Sequence, residues 1–432
     1  MSSSSHRILL VGSGGREHAL AWKLAASPKT AEIYVAPGNA GTASMDRVTN
    51  IAIGVDEIDA LVTFARDNTI SLTVIGPEAP LAAGVVDAFQ QAGLACFGPN
   101  SAAAELEASK TFSKDFLARH AIPTATYAAF SDYAAAETYI KACGAPLVIK
   151  ADGLAAGKGV ALADNIDDAL AAAHDMLEDN AFGNAGARIV VEDWLEGEEA
   201  SFIVMVDGEH ILPLASSQDH KAAYDGDTGP NTGGMGAYSP APVVTDAVTE
   251  RVMDAVIRPT VEGLAADGRP FTGFLYAGLM IDERGAPQVL EFNVRLGDPE
   301  TQPIMMRLES DLVELIEAAL AGELDRVTAE WRDDVALGVV MSAGGYPGAY
   351  DKGDVIVGLD RVDDPQTAVF HAGTAFNDAG QIVTSGGRVL CVCALGNDVA
   401  EAQKRAYRGV DCIDWPNMSC RRDIGHRAIN RR

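Results

Sequence analysis

Short apolar runs and glycine- or proline-rich turns alternate along the first hundred residues. Three runs, Arg7–Val11, Ile33–Ala36 and Leu72–Ile75, each end in such a turn, and a segment of helical periodicity, Glu17–Ala26, follows the first. Repeats of strand, turn and helix predict right-handed βαβ units and a parallel sheet. Open sheets of this kind bind ligands at the carboxyl ends of their strands, so we expect chemistry at these turns.

The pattern changes near residue 98, where a second region begins. A helical segment, Lys110–Leu117, leads to two strands, Pro146–Lys150 and Ile189–Trp194, with a glycine-rich turn between them. Strands and loops then dominate as far as a strand at Gln288–Asn293, which precedes one long predicted helix, Pro299–Leu320. A third region begins near residue 331. The mixture of elements predicts an α/β protein of several domains.

Composition narrows the classes of partner. The chain has 432 residues, too many for one ordinary core, and 33 Lys and Arg against 61 Asp and Glu give a net charge of −28. Such a field repels nucleic acid and anionic lipid, so we expect neither as a partner, and no apolar run approaches the length of a membrane span. Six cysteines without dense spacing fit a reducing compartment, which predicts a cytoplasmic protein.

The first glycine turn has two interpretations. Gly12, Gly14 and Gly15 after a strand are similar to a dinucleotide fingerprint, but Glu17 stands where the third glycine belongs, and the second strand ends near Asn39 without an acidic residue for a ribose. A nicotinamide site is therefore disfavoured. A turn at a helix N-terminus would offer free amides to a phosphate-bearing substrate, and a purely structural tight turn is the alternative.

A second glycine-rich loop lies between two predicted strands. Three residues separate Gly153 from Gly157, and Gly159 follows Lys158 where a Walker A loop has Ser or Thr, so this is not a Walker A loop. Because Lys150 and Lys158 flank a loop of small residues, the pattern predicts a flap that closes on a polyphosphate. A flexible hairpin with solvated lysines is the alternative.

A polar strand face occurs at Glu291 and Asn293. Positions i and i+2 of a strand share a face, so the carboxylate and the amide point the same way and could hold Mg²⁺ together with phosphates. Arg295 follows on that face and could neutralise a transferring phosphoryl group. An edge strand with a polar face is the alternative. Asp298, which precedes Pro299, fits either a site residue or a helix cap.

Two further segments have the composition of binding sites. The stretch from Ser217 to Gly236 is too polar and too rich in glycine to form a core, so it is either a surface loop or a rigid lining around a small polar ligand. The strand at 189–194 leads into an acidic segment, and Trp194 and Leu195 at this junction could sandwich an adenine. A carboxylate after them, Glu198, could accept hydrogen bonds from a ribose.

Taken in this order, these segments resemble the phosphoribosylamine–glycine ligase family, the glycinamide ribonucleotide synthetases, of the ATP-grasp superfamily. The resemblance covers nearly the whole chain and is most specific at Lys150–Val160, Gln218–Lys221, Gly229–Gly236 and Glu291–Glu300. It implies an N-terminal parallel-sheet domain over residues 1–107 and an ATP-grasp domain over 108–328, with a mobile lid subdomain at about 127–195. A small C-terminal α+β domain would cover residues 329–432.

The resemblance also implies a reaction. ATP would phosphorylate the carboxylate of glycine, and the amine of 5-phosphoribosylamine would displace phosphate to give glycinamide ribonucleotide in de novo purine synthesis. Mg²⁺ would be the metal, with Mn²⁺ as a substitute, and the protein would be a monomer or a weak dimer. Another ATP-grasp carboxylate–amine ligase or a carboxylase is the alternative. An oxidoreductase or nucleotide sensor argued from the first turn would leave Glu291 and Asn293 unexplained.

Site residues follow from the resemblance, residue by residue. The ATP contacts would be Lys110, Lys150, Gly157, Lys158, Gly159, Glu192, Trp194, Leu195, Glu198 and Glu291. The contacts to glycine and phosphoribosylamine would be Gly14, Gly15, Asn39, Glu78, Asp219, Lys221, Asn231, Thr232, Gly233, Gly234, Met235, Arg295, Gly297 and Asp298. Catalysis would rest on Arg295, Lys150 and Asp219, and the metal would be held by Glu291 and Asn293.

Overall fold

The computed structural model describes residues 5–154, 159–179 and 186–431. Its first five strands are β1 (His6–Gly12), β2 (Thr30–Pro37), β3 (Val48–Asn50), β4 (Leu72–Ile75) and β5 (Cys96–Phe97). They pair in parallel in the order β3-β2-β1-β4-β5, as the sequence predicts. The helices of this part are α1 (Gly15–Ala25), α2 (Ala40–Ala43), α3 (Ile58–Asp67), α4 (Glu78–Ala82), α5 (Val85–Gln91) and α6 (Ser101–Ala108). Ile8–Val11 of β1 are fully buried, so the sheet is covered on both faces.

A small antiparallel sheet follows. Its strands are β6 (Tyr127–Phe130), β7 (Leu147–Ala151), β8 (Val160–Ala163) and β9 (Ile189–Asp193), in the order β6-β9-β7-β8. Helix α7 (Lys110–Arg119) precedes this sheet. Helices α8 (Tyr133–Cys143) and α9 (Ile166–Leu177) pack on the sheet and form a separate apolar core with it, which includes Ile140, Ile149 and Val191. The strands predicted at 146–150 and 189–194 are present as β7 and β9, within a residue at each end.

A second four-stranded antiparallel sheet lies next in the chain. Its strands are β10 (Glu198–Asp207), β11 (Ile211–Pro213), β16 (Thr272–Ile281) and β17 (Pro287–Asn293), in the order β11-β10-β16-β17. Helices α10 (Asp246–Val252) and α11 (Arg258–Ala266) are joined by a π-helical turn, Met253–Ile257. Among the described residues, no helix combines the length and hydrophobicity that a membrane crossing requires.

The long helix predicted at 299–320 is two helices. Helix α12 (Thr301–Arg307) ends where Leu308 turns to extended backbone, and α13 (Leu312–Ala321) begins after Asp311, whose side chain accepts the Val313 amide. The apolar pattern continues across the break and favours one helix, but the side chain of Asp311 caps a new helix N-terminus and so divides the segment in two. Helix α12 begins at Thr301 and has Glu300 at its N-cap position, so Asp298 is not its cap.

The last sheet draws strands from two distant parts of the chain. Its strands are β12 (Gln218–Asp219), β15 (Gly236–Ser239), β18 (Val335–Ser342), β19 (Thr367–His371), β22 (Arg388–Gly396) and β23 (Ser419–Cys420), with β12-β15-β18-β22-β19 as the main order. Two hairpins, β13 (Ala222–Tyr224) with β14 (Thr228–Asn231) and β20 (Thr374–Phe376) with β21 (Ile382–Thr384), and helices α14 (Val399–Val410) and α15 (His426–Ile429) complete this part. Because β12 and β15 join it, the sheet crosses the boundary expected near residue 328 and fixes the polar loop at 217–236 against the C-terminal part.

Candidate active site

A cavity of about 530 Å³ gathers the sequence motifs in one place. Arg16 and Glu78 reach it from the turns of the parallel sheet, Lys150 from β7, Asp219 from β12 and Glu291 from β17. Arg16 and Glu291, which are 275 positions apart in the chain, therefore face one volume. The predicted site residues in its lining are Glu78, Lys110, Lys150, Gly159, Glu192, Trp194, Leu195, Asp219, Lys221, Asn231, Thr232, Gly233, Glu291, Asn293, Arg295, Gly297 and Asp298. Gly157 and Lys158 lie outside the described residues.

Glu192 at the end of β9 lies between two buried lysines. The Nζ atom of Lys150 is 2.9 Å from one carboxylate oxygen of Glu192, and that of Lys114 is 2.8 Å from the other. Lys114 also donates to the hydroxyl of Thr124 at 2.7 Å, and burial lowers its pKa to about 8. Lys114 was not among the residues predicted from the sequence, although it lies four residues after Lys110 on the same helix face, which was an available signal.

The pair predicted to bind metal points into the cavity from β17. Glu291 and Asn293 pair with Gly278 and Tyr276 of β16 in an unbroken register, which confirms their shared face, and both line the cavity. Burial acts to raise the pKa of Glu291, but nearby lysines, with Lys221 the strongest, hold it below its usual value. An ionised carboxylate beside an amide oxygen is a donor set that fits a hard divalent cation.

Arg295 is held on three sides. Its Nε atom donates to Glu78 at 3.1 Å, one terminal nitrogen donates to the backbone oxygen of Leu296 at 3.2 Å, and the other is 2.8 Å from Glu107. Burial raises the pKa of Glu107 to about 7 despite the neighbouring Arg295. At Glu78 burial acts in the same direction, but the positive charges of Arg295 and Arg16 outweigh it and lower the pKa to about 2. Sequence analysis missed Glu107.

Three acidic side chains, Glu199, Asp219 and Glu300, line the cavity near β12. Lys221 forms an ion pair of 3.0 Å with Glu199, and the hydroxyl of Tyr276 donates to Glu300 at 3.0 Å. Burial raises the pKa of Asp219 to about 7, and the negative charges of Glu300 and Glu199 add to this effect while Lys221 opposes it. Carboxylates so placed suit a small ligand that carries an ammonium group.

Glu198 is a correction to the sequence analysis. It does not line the cavity but pairs with Arg431 near the C-terminus, whereas its neighbour Glu199 lines the cavity. Both carboxylates belong to β10, where consecutive side chains point to opposite faces. The sequence predicts a carboxylate after Trp194 and Leu195 but does not show which of the two adjacent ones faces the cavity.

A second cavity, of about 400 Å³, adjoins the first. Asp298 and Arg388 line both cavities. The guanidinium of Arg388 donates to the backbone oxygen of Asp298 at 2.6 Å and to the carboxylate of Asp298 at 3.2 Å. The predicted residues Gly14 and Asn39 line this second cavity. Asn39 caps α2 and donates to the backbone oxygen of His371 at 2.9 Å, so it joins the parallel sheet to the C-terminal part.

The first glycine turn is closed from within. The carboxylate of Glu17, which stands in the place of a third glycine, accepts the amide of Gly14 and the Nε of Arg16, both at 2.6 Å. The expectation of free amides for an anion is therefore wrong at Gly14. A phosphate-bearing substrate near this turn stays a prediction, since Gly14 also lines the second cavity.

Three other predicted residues line neither cavity. A side chain at Gly15 would meet Gln302, with 2.5 Å from the added carbon to its amide nitrogen, and one at Gly234 would meet Pro299 at 2.4 Å. Met235 is buried in the apolar core of the C-terminal sheet. These residues allow close packing behind the site instead of forming its surface.

Comparison with protein families gives matches along almost the whole chain. Residues 6–107, 108–301 and 336–427 match the N domain, the ATP-grasp (A) domain and the C domain of phosphoribosylglycinamide synthetase. The phosphoribosylamine–glycine ligase of Allochromatium vinosum is 64% identical over 425 residues, which cover 98% of this chain and 99% of that protein. Those of Vibrio cholerae and Escherichia coli strain K12 are 63% and 62% identical, with the same coverage.

Solved structures agree with this result. The crystal structure of phosphoribosylamine–glycine ligase from Thermotoga maritima has a TM-score of 0.84 at 32% identity, and the match covers 97% of this chain and 100% of that one. A biotin carboxylase from Campylobacter jejuni has a TM-score of 0.73 at 14% identity, with 97% and 94% covered. At that identity the likeness extends to the fold alone. The fold is thus α/β, with an N-terminal parallel sheet and a C-terminal domain, and its structural neighbours are ATP-grasp proteins.

Proposed function

Because this chain belongs to the phosphoribosylglycinamide synthetase family, we propose that it joins glycine to 5-phosphoribosylamine and converts ATP to ADP and phosphate. It is a ligase of purine biosynthesis. The carboxylate of glycine takes the γ-phosphoryl group of ATP to form an acyl phosphate, and the amine then expels phosphate to leave an amide. The observation that supports this chemistry most directly is that Glu291 and Asn293 share one cavity with Lys110, Lys150 and Arg295.

The reaction must bring two anions together. A carboxylate and a γ-phosphate repel each other, so a site that joins them needs fixed positive charge in a cavity with little water. Glu291 and Asn293 would hold Mg²⁺, or Mn²⁺ in its place, and the ion would screen the phosphates. Lys110 and Lys150 would contact the same phosphates, and Arg295 would stabilise the transferring group.

The nucleotide is assigned to the cleft between the small sheet and β10. Trp194 and Leu195 would contact adenine, and Glu192, oriented by its two lysines, would accept from the adenine amino group. Glu199 would accept hydrogen bonds from the ribose, the role that was predicted for Glu198. The roles of Gly157, Lys158 and Gly159 remain predictions from the sequence.

The two other substrates are assigned to the two ends of the site. Asp219 and Glu300 would accept from the ammonium group of glycine, whose carboxylate would then lie near Arg295. Phosphoribosylamine would enter through the second cavity, with its phosphate near Arg388 and its amine directed past Asp298 toward the acyl phosphate. Support for this path comes from the fact that these last two residues line both cavities.

The remaining assignments follow from charge and the resemblance. The protein has a net charge of −28 and would repel nucleic acid, so we propose that its substrates are small molecules. We propose a cytoplasmic monomer, or at most a weak dimer. We also propose domain limits at about 107 and 328, with a lid subdomain at about 127–195.

A coupled assay of ADP release tests the proposal. We expect turnover only when glycine, freshly generated phosphoribosylamine and a divalent metal are all present. Turnover that continues without glycine would reject it. Turnover that requires bicarbonate in place of glycine would identify a carboxylase instead.

A further inference from the structure

The guanidinium group of Arg295 has two carboxylate partners that come from different parts of the fold. Glu78 begins α4 in the parallel-sheet part, and Glu107 lies in the last turn of α6, just before the ATP-grasp part. Glu78 holds the Nε edge at 3.1 Å, and Glu107 lies 2.8 Å from a terminal nitrogen. Two carboxylates on different edges fix both the position and the plane of the guanidinium.

Glu107 makes a second contact with the same segment. Its other oxygen accepts the backbone amide of Val294 at 2.7 Å, while only 8% of its side chain is exposed. One carboxylate thus ties residues 294 and 295 to a helix, immediately after the pair Glu291 and Asn293. Within the described residues, Glu78 contacts the side chain of Arg295 but accepts no backbone amide from the end of β17.

We propose that Glu107 is a positioning residue of the phosphoryl-transfer step, which acts by holding Arg295 and the end of β17 in place. This inference rests on the proposed role of Arg295. A guanidinium fixed before the reaction stabilises charge that develops in the transition state without a cost of reorganisation. Without Glu107, a terminal nitrogen of Arg295 would be free to move and to bind substrate anions equally in the ground state, which does not speed the reaction.

The test compares matched variants in the full-length protein. Glu107→Gln keeps the size of the side chain and removes its charge. Glu105→Gln is the control, because Glu105 lies on the same helix and pairs with another arginine, Arg269, at 2.5 Å outside the cavity. Arg295→Lys and the double variant of residues 107 and 295 complete a mutant cycle.

We expect Glu107→Gln to lower kcat by about 10²-fold, on the scale of losing one fixed transition-state donor, with KM for glycine unchanged or lower. Glu105→Gln should stay within about twofold of the parent, in line with a surface ion pair. In the Arg295→Lys background, the change at residue 107 should lose most of its effect, since its partner is already altered. The stoichiometry of MgADP binding, measured by calorimetry, corrects kcat for any inactive fraction.

Three outcomes would overturn the inference. The first is a Glu107→Gln enzyme whose kcat equals that of the Glu105→Gln control. The second is a fall in kcat that is equally large in the Arg295→Lys background. The third is a fall in kcat that is fully explained by a loss of MgADP-binding sites. If Glu107→Gln does not fold, Glu107→Asp serves in its place, because it keeps the charge and withdraws it by one methylene. An Arg295→Lys enzyme with normal kcat would instead refute the proposed role of Arg295 itself.

Discussion

The adjacent carboxylates of β10 allow a sharp test of the nucleotide site. Glu199 lines the cavity and Glu198 does not, so Glu199→Gln should weaken nucleotide binding while Glu198→Gln should not. Both changes remove one negative charge from the same strand. Any difference between them therefore reports the direction of the side chain rather than the net charge of the protein.

The expected magnitude follows from the contacts. A hydrogen bond from a ribose hydroxyl to a carboxylate contributes about 1.5–3 kcal/mol. The side chain of Glu199 is 36% exposed and shares its charge with Lys221, so the lower end applies. That corresponds to an increase of about tenfold in Kd for MgADP and in KM for ATP. The pair of Glu198 with Arg431 is exposed, and its loss should cost less than about 1 kcal/mol of stability.

Calorimetric titration with MgADP and steady-state kinetics with ATP provide the assay. The nucleotide 2′,3′-dideoxy-ATP provides an internal check, because it lacks both ribose hydroxyls and should bind the parent and Glu199→Gln with similar affinity. A Glu198→Gln variant that loses as much affinity as Glu199→Gln would show that the strand phase is misassigned. A Glu199→Gln effect that persists with the dideoxy nucleotide would exclude the ribose contact.

Other variants test the metal pair, the buried ion pair of Lys114 with Glu192 and the buried histidines. Glu291→Ala should lower turnover by about 10²-fold or more while circular dichroism and the unfolding midpoint stay near those of the parent, and near-normal turnover would refute its metal role. Lys114→Met leaves the buried carboxylate of Glu192 with one lysine and should cost about 3 kcal/mol in urea unfolding, so an unchanged midpoint would contradict the buried pair. Burial lowers the pKa of His18 to about 3 and that of His371 to about 4. Between about pH 6.5 and 4 the unfolded chain therefore binds protons that the folded chain does not, and each histidine should lower stability by about 1.4 kcal/mol per pH unit as the pH falls. His18→Gln should remove one such contribution from urea titrations at pH 7, 6 and 5, and a pH slope equal to that of the parent would show that His18 does not titrate in this way.

Local patterns were sufficient for the parallel sheet and for the chemistry of single segments. The alternation of apolar runs and glycine turns predicted β1, β2 and β4, because buried parallel strands read as continuous apolar runs. The spacing of Glu291 and Asn293 predicted their shared face, because a strand repeats every two residues. Signals confined to one element need no knowledge of what packs against it.

The partners of each site residue depended on the tertiary structure. No local pattern connects Glu107 to Arg295 or Lys114 to Glu192, since these pairs are separated along the chain and meet only when helices pack against strands.

By itself, then, the sequence determined the α/β class, the family resemblance and the residue types of the chemistry, since each is written in short segments. Only the tertiary structure decided which of two neighbouring carboxylates, Glu198 or Glu199, faces the cavity, and which glycines pack behind it. It also decided that strands from residues 218–239 join the C-terminal sheet. The physical reason is that strand phase and cavity walls are fixed by contacts between elements far apart in the chain, where the free energy of packing outweighs local preference.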